Sequence, residues 1–341
     1  PMLVAFRLQQ ALAGAVMFPN AGAFVRAAVG ERRGTAYALI GAATGAGAAA
    51  GPVLGGILVA ASGWHATFLV NVPLVALALV LGWRSLPPDA PRAGVRFDVI
   101  GAAWLSALLA LAAWTLSRAR TEAAALTAAL GTVVAAGALA LVRYERGRED
   151  ALLHPELFRD RTFAAANGAI ALGNLAMYGT MLAVPLVLAR ESGGSAALGG
   201  GLALSALFVM SVVLAPAGGR LADRTGRRWP SVAGYAVFGA GSLLLAAGPS
   251  AALLPALLIA GTGLGLSSGG LRAAAVEAVG PERAGLASGI FSTSRYAGGI
   301  AGALLVPLLL GASGDGAPLL HLVCAASAFA AAGSSLLLED W

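Results

Sequence analysis

The chain has 341 residues, of which 58% are hydrophobic and only 11% are charged. Soluble domains carry about 25% charged residues, so a mean hydropathy of +0.82 excludes an ordinary water-soluble fold. The formal net charge of +6 is spread over short loops between apolar segments, and it therefore does not favour nucleic-acid binding.

Apolar segments that are long enough to cross a bilayer follow one another along the chain. A helical span needs about 20 apolar residues. Segments of this kind lie near 2–25, 35–61, 66–83, 99–117, 123–142, 163–189, 199–218, 230–248, 251–271, 285–311 and 317–338. They lack the alternation of β-barrel strands. The sequence therefore predicts an all-α polytopic membrane protein with about eleven transmembrane helices.

The arginines predict the direction of the spans. Most of them lie in one set of alternate loops, and only Arg118, Arg120 and Arg190 lie in the other set. Because cytoplasmic loops hold the excess of Lys and Arg, we expect a multi-pass protein of the cell membrane (inner or plasma membrane) whose Arg-rich loops are cytoplasmic. The first helix then runs from outside to inside. Cys324 is the single cysteine, so no intramolecular disulfide can form, and no metal site is predicted.

An internal repeat explains this starting direction. Residues 29–36 read VGERRGTA and residues 279–287 read VGPERAGLA, which predicts the same cytoplasmic turn twice. The alignment places Gly47 and Gly51 on Gly298 and Gly302, eight helices further along the chain. Parallel repeats of this kind occur in the two halves of some transporters.

Four segments resemble a known family. GAGAAAGPVLGG at 45–56 resembles the glycine-proline signature of the fifth helix in drug:proton antiporters of the major facilitator superfamily. FRLQQALAGA at 6–15 resembles the fourth-helix motif, with Ala11 where the family has glycine. GWHATFLVNVP at 63–73 resembles the short outer loop, with His65 where Arg is usual, and GRLADRTGRR at 219–228 matches the cytoplasmic loop signature of the superfamily.

The resemblance covers essentially the whole chain. The spacing of eight helices between repeats points to the fourteen-helix multidrug efflux branch, with helices four to fourteen present and the first three helices missing. On this interpretation residues 1–85 are a truncated N-terminal half, 86–150 are two extra linking helices, and 151–341 are a six-helix C-terminal half.

The glycine-proline segment is the first candidate site. Gly47, Gly51 and Gly55 recur at every fourth residue and form one smooth helix face, which permits close helix contact in lipid. The motif as a whole comprises Gly47, Gly51, Pro52, Gly55 and Gly56. The resemblance implies that this face abuts the opposite half on the outer side and parts during transport. We therefore expect Leu at Gly51 to abolish proton-coupled export while membrane insertion and expression survive, and the same change at Gly302 to be milder. Static packing is the alternative in a chain with 47 glycines.

Arg7 and Gln10 form the second candidate site. A charge within a span is costly and usually faces a cavity and a partner. The family motif implies that Arg7, held near Gln10, serves proton coupling or organises the cavity. The alternative is that Arg7 extends to the outer surface, since it lies within two turns of the first residue.

The cytoplasmic loop signature is the third candidate site. The resemblance assigns Asp223 to a charge contact with a helix end or an Arg of the opposite half, and this contact must break when the inner gate opens. The predicted latch comprises Gly219, Asp223, Arg224, Gly226, Arg227 and Arg228. A solvated loop explains the arginines equally well, but it does not explain Asp223 and the turn at Gly226.

A polar face on the span 163–189 is the candidate substrate cavity. Asn167, Asn174, Tyr178 and Met181 share one helical face, where Asn and Tyr can bond a ligand and Met adapts to apolar shapes. Arg295, inside a later span, is added to this set. Hydrogen bonding between helices explains the two Asn residues equally well.

All 16 acidic residues lie in loops or at span ends. Because the family often has its titratable acid on the first helix, the sequence does not identify the proton-binding carboxylate. The predicted function is proton-coupled efflux of small amphipathic or cationic compounds by alternating access, without a cofactor, by a monomer in the lipid bilayer.

Three alternatives remain open: a major facilitator importer or exporter of a specific metabolite, a non-transporting membrane protein, and a membrane-embedded enzyme. The glycine-proline signature argues against an importer. An enzyme would need clustered ligands inside the membrane, whereas His65, His154 and His321 are far apart in the sequence.

Overall fold

The computed structural model describes residues 2–28, 33–85, 98–118, 122–148, 151–152, 154–191, 196–248, 252–267, 270–279, 283–310 and 315–339. In these ranges the chain is helical and contains no strand. The helices are α1 (Met2–Ala28), α2 (Arg33–Ser62), α3 (Ala66–Leu69), α4 (Asn71–Ser85), α5 (Val99–Arg118), α6 (Ala124–Glu145), a 3-10 helix (Pro155–Arg159), α7 (Arg161–Glu191), α8 (Ala196–Thr225), α9 (Arg228–Ala246), α10 (Leu253–Ser267), α11 (Leu271–Glu277), α12 (Ala284–Leu310) and α13 (Ala317–Ser335).

Each of the eleven predicted spans overlaps a helix, so the prediction of an all-α polytopic protein is confirmed. One span is divided between α3 and α4, and residues 268–269 between α10 and α11 lie outside the described residues. Within the described residues, nine segments are long and apolar enough to cross a membrane.

Two of the acids outside the spans start helices. The backbone N–H of Gly101 donates to Asp98 Oδ1 over 2.9 Å, and the N–H of Phe163 donates to Asp160 Oδ1 over 2.7 Å. In each case the carboxylate precedes the helix by one residue and accepts from the third helical residue, which satisfies a backbone donor that has no partner within the helix. The acids therefore fix where α5 and α7 begin.

Helices α7 to α13 form the buried core. Helix α7 packs against α12 and α13, α9 packs against α10 and α13, and α8 packs against α10. Small residues allow these helices to approach closely: a methyl group added to Gly261 would lie 2.9 Å from the carbonyl carbon of Leu207 on α8. In lipid, such close contact replaces the hydrophobic driving force that packs helices in water.

Helices α3 to α6 are much more exposed. Helix α4 has no buried residue, and α5 and α6 pack mainly against each other, with a smaller contact between α5 and α12. The division at 85/86 and at 150/151 falls in ranges outside the described residues, as do 29–32 and 280–282 of the repeated turn. The three-part division of the chain and the repeated turn therefore stay predictions.

Successive spans run in opposite directions, which defines the two ends of the bundle. The α8–α9 connection at Gly226 and Arg227 lies at one end, which we name the Arg-rich end. The start of α8 lies at the opposite end, where Gly200 is close to Pro185 of α7 and Gly201 is close to Pro52 of α2. These two ends position the candidate sites described below.

Candidate functional site

The proline of helix α2, Pro52, contacts helix α8, which belongs to the predicted C-terminal half at 151–341. A methyl group on Gly201 of α8 would lie 3.0 Å from the carbonyl carbon of Pro52 and 3.6 Å from the Cα of Val53. Gly56, one turn after Pro52, is buried. Since Gly201 lies near the start of α8, this backbone contact is at the end opposite the Arg-rich end.

The predicted contact face of α2 needs a correction. Among the described residues, a methyl group on Gly47, Gly51 or Gly55 would meet no atom within 4 Å. The contact with α8 is made instead by Pro52, one residue after Gly51 and thus rotated by about 100° around the helix. The motif therefore contacts α8 through a face next to the one that carries the three glycines, and its role as a gate stays a prediction.

The corresponding glycines of the second half are tightly packed. A methyl group on Gly298 would lie 2.6 Å from the carbonyl carbon of Ala171, and one on Gly302 would lie 2.9 Å from that of Leu175. Both contacts are with the backbone of α7. These two glycines therefore bring α12 and α7 of one half together rather than joining the two halves.

Arg7 and Gln10 lie together as predicted. Arg7 Nη1 donates to Gln10 Oε1 over 2.9 Å, and both side chains are exposed. The guanidinium lies 4.4 Å from the ring centroid of Phe68, whose edge meets the ring of Trp64. The aromatic residues of the α3 turn thus hold Arg7 by a cation–π contact, which sequence reasoning missed.

The predicted polar face of α7 is divided between packing and exposure. Ser294 Oγ of α12 donates to Asn167 Oδ1 over 2.9 Å, and the buried Asn174 donates to its own helix at Ile170 O over 3.0 Å. Tyr178 is half-buried against Gly299, and Met181 borders a buried apolar cluster. The structure therefore favours the interhelical interpretation for Asn167, whereas Tyr178 keeps part of its surface free.

The latch residues are arranged differently from the prediction. Arg227 Nη2 pairs with Glu277 Oε1 of α11 at 2.6 Å, and Arg228 Nε donates to Leu338 O over 2.7 Å. Gly226 has φ of 79°, a left-handed conformation that favours glycine. These contacts all lie within the second half.

Three further residues of the predicted latch are exposed or have free space around them. Asp223 and Arg224 are exposed, and a methyl group on Gly219 would meet nothing within 4 Å. Asp223 forms no ion pair with the described part of the chain, and its contact with the opposite half stays a prediction. Glu277 is fifty residues from Arg227, and no sequence signal connected them.

Two arginines meet at the junction of α11 and α12. Arg295 Nη2 donates to Tyr296 Oη over 3.1 Å. Arg272 Nη1 lies 3.4 Å from Ser288 Oγ, which it can reach as a donor, and its guanidinium lies 5.6 Å from the ring of Phe291. Sequence reasoning assigned Arg272 to a cytoplasmic loop and so missed its position beside Arg295.

One known protein family matches nearly the whole sequence. The Major Facilitator Superfamily profile matches residues 1–144 and 163–340, which is nearly the whole chain. The chain belongs to this superfamily. The resemblance derived from the motifs is thereby confirmed, and the protein is a membrane transporter by family.

Several relatives of this superfamily member come from bacteria. The MFS-type transporter YvkA of Bacillus subtilis is 30% identical over 324 residues, which cover 91% of this chain and 70% of the relative. A multidrug resistance protein B homolog of Mycobacterium tuberculosis is 30% identical over 322 residues, covering 91% of this chain and 59% of the relative. The methylenomycin A resistance protein of Streptomyces coelicolor is 28% identical over 331 residues, covering 92% and 67%.

The acidic, His and Cys side chains of this superfamily member are dispersed in the part of the chain that the structure describes. Among the described residues, no group of three or more His, Cys, Asp and Glu side chains is placed to hold a metal ion. His321 and Cys324 are buried within α13.

Proposed function

We propose that the completed protein exports small amphipathic compounds in exchange for protons by alternating access. Here the completed protein means this chain together with the upstream helices that the family resemblance predicts. The proposed location is the cell membrane, with the Arg-rich end in the cytoplasm. The proposed mechanism uses the proton gradient and needs no cofactor or enzymatic step.

The contact between Pro52 and Gly201 carries this proposal. It joins the two halves at the end opposite the Arg-rich end, whereas Asp223, at the Arg-rich end, has no ion pair with the described residues. A bundle closed at one end and unlatched at the other is one of the two states that alternating access requires. The second state would break the contact at Gly201 and pair Asp223.

The names of two relatives support export of drug-like compounds. The Mycobacterium tuberculosis relative is a multidrug resistance protein B homolog, and the Streptomyces coelicolor relative is a methylenomycin A resistance protein. In this chain, Tyr178 and Met181 are partly exposed on α7. An amphipathic ring and a flexible thioether suit ligands of varied shape.

The proton pathway is assigned only in part. Within the described spans, the acids lie at helix ends rather than mid-span, and Arg7 with Gln10 is the polar pair on α1. We propose that Arg7 organises the pathway, because a cation within a span requires a polar or aromatic partner. The titrating carboxylate is proposed to lie on an upstream helix.

Proteoliposomes containing the completed protein test this function. The proposal predicts that an imposed pH gradient drives accumulation of a fluorescent amphipathic dye and that a proton uncoupler abolishes it. Dye accumulation that the uncoupler leaves unchanged would overturn proton coupling. Binding of one metabolite with rejection of all unrelated dyes would instead favour the specific-transporter alternative.

A further inference from the structure

The cluster at the α11–α12 junction contains two arginines without an acidic partner in the described part of the chain. Ion pairs in this part join Arg118 with Glu122, His154 with Glu156, and Arg227 with Glu277, and none includes Arg272 or Arg295. The Nε of Arg295 is buried and has no hydrogen-bond partner among the described residues. The cluster therefore has donors that remain unused.

The two guanidinium groups lie beside the same turn of α12. Arg272 lies 5.6 Å from the ring centroid of Phe291, and Phe291 precedes Arg295 by four residues, so the two lie on one helix face. Arg295 lies 4.8 Å from the ring centroid of Tyr296, and Arg272 reaches Ser288 on α12. The rings of Phe291 and Tyr296 and the hydroxyl of Ser288 thus keep both arginines on the same side of the junction despite their repulsion.

The depth of Arg295 makes this charge costly. It lies eleven residues after the start of α12 at Ala284, which is about 16 Å along the helix at the α-helical rise. This is about half the thickness of the hydrocarbon core. A charge at that depth typically faces the bundle interior or a water-filled cavity and pairs with an opposite charge or with backbone carbonyls. Since Tyr296 is 48% exposed, the junction is open on this side.

We propose that Arg272 and Arg295 together bind an anionic oxygen group, a carboxylate or phosphate, carried by the transported compound. This inference rests on the proposed export function and narrows its substrate class to anionic amphiphiles. Guanidinium groups suit such anions because their planar donors match two oxygens. The cationic substrates expected from sequence would be repelled by the same pair.

A matched pair of dyes tests this inference on the purified completed protein. The probes are a carboxylated rhodamine and its methyl ester, which share ring, shape and apolar area and differ in one anionic group. Arg295→Gln and Arg272→Gln are each expected to weaken binding of the carboxylated dye about tenfold or more, as for loss of a hydrogen bond to a charged group. The ester keeps the cationic ring without the carboxylate, so it is expected to bind both variants at least as tightly as the parent protein, because each substitution removes a repulsive charge.

Arg143→Gln provides the control. Arg143 is exposed on α6, outside every candidate site, and its substitution removes the same charge. It is expected to leave the affinity for both dyes unchanged. Equal weakening of both dyes by the Arg295 and Arg272 variants, or no weakening of either, would overturn the inference.

The anion could instead be an acidic side chain of another helix, and a second measurement distinguishes the two sources. If the compound supplies the anion, Arg295→Gln leaves the melting temperature of the dye-free protein within a few degrees of the parent. If a side chain supplies it, Arg295→Gln strands that carboxylate and lowers the melting temperature without any dye, which would overturn the inference. The two proposals can fail separately. Proton-driven export of the ester would support the proposed function even if the anion-binding inference fails. Absence of that export, with binding of the carboxylated dye intact, would refute the proposed function and leave the inference standing.

Discussion

The two halves of the chain surround matching glycines of the sequence repeat in different ways. Gly298 and Gly302 lie against the backbone of α7, where even a methyl group would overlap carbonyl groups. Gly47 and Gly51 of α2 have open space around them. A glycine at every fourth residue therefore marks a helix surface that permits close approach, but it does not say which helix is approached.

Burial shows the same contrast on a larger scale. Helix α9 buries Pro230, Tyr235 and Phe238 together with several glycines, whereas α4 buries no residue. Both helices are apolar, because a lipid-facing helix needs apolar side chains as much as a packed one does. Composition therefore identifies a span but leaves its packing open, and small residues identify the packed helices better.

The largest effect is expected from Gly302→Leu. Leu at this position must displace the carbonyl group of Leu175, and overpacking of this kind costs about 3 kcal/mol. We expect the completed protein to lose most of its yield as a monodisperse species and to melt at a clearly lower temperature. Size-exclusion chromatography and a thermal melt measure both.

Gly51→Leu is the matched control for folding, since it meets open space in this structure. It is expected to retain yield and melting temperature, so the order of sensitivity for folding is opposite to the order that the sequence alone predicts for export. Equal destabilisation by both substitutions would contradict the contrast between the halves.

Gly201→Leu is expected to affect transport more than folding. A Leu side chain would separate α8 from Pro52 and so prevent the closed state at this end. We expect proton-driven dye export to fall at least about tenfold, because packed interfaces have discrete states rather than graded ones. Gly199→Leu, two residues earlier and in open space, should export normally. Normal export by Gly201→Leu would show that this contact does not take part in the cycle.

The smallest effect is expected from Ser294→Ala, which removes the hydrogen bond to Asn167 between α12 and α7. Its loss should lower stability by about 1 kcal/mol and leave dye affinity unchanged. Ser292→Ala, which removes only a bond to its own helix at Ser288 O, should be milder still. A selective loss of dye affinity in Ser294→Ala would restore the cavity role predicted for Asn167.

The spans could be predicted from sequence because hydropathy and length determine them locally. The pairing of Arg7 with Gln10 could also be predicted, since residues three apart face one another on a helix. The contact between Gly201 and Pro52 could not be predicted, because the glycines at 199–201 are consecutive and therefore do not indicate one helix face. Arg272 was missed because its span continues past the end of α10, and the pairing of Arg227 with Glu277 depends on the packing of distant helices.

We propose that the contact between α2 and α8 opens and closes during transport, while the packing among helices α7 to α13 is kept. Spin labels at Ser62 and Gly199, both exposed near this contact, would report it by pulsed dipolar spectroscopy in the completed protein with Cys324 replaced by Ala. Labels at Ala240 and Ala330, exposed on α9 and α13, would report the second half. We expect a pH change or added dye to shift the Ser62–Gly199 pair between a short and a longer distance. The Ala240–Ala330 pair should keep one distance under the same conditions. A single unchanged distance for the Ser62–Gly199 pair under all conditions would contradict it.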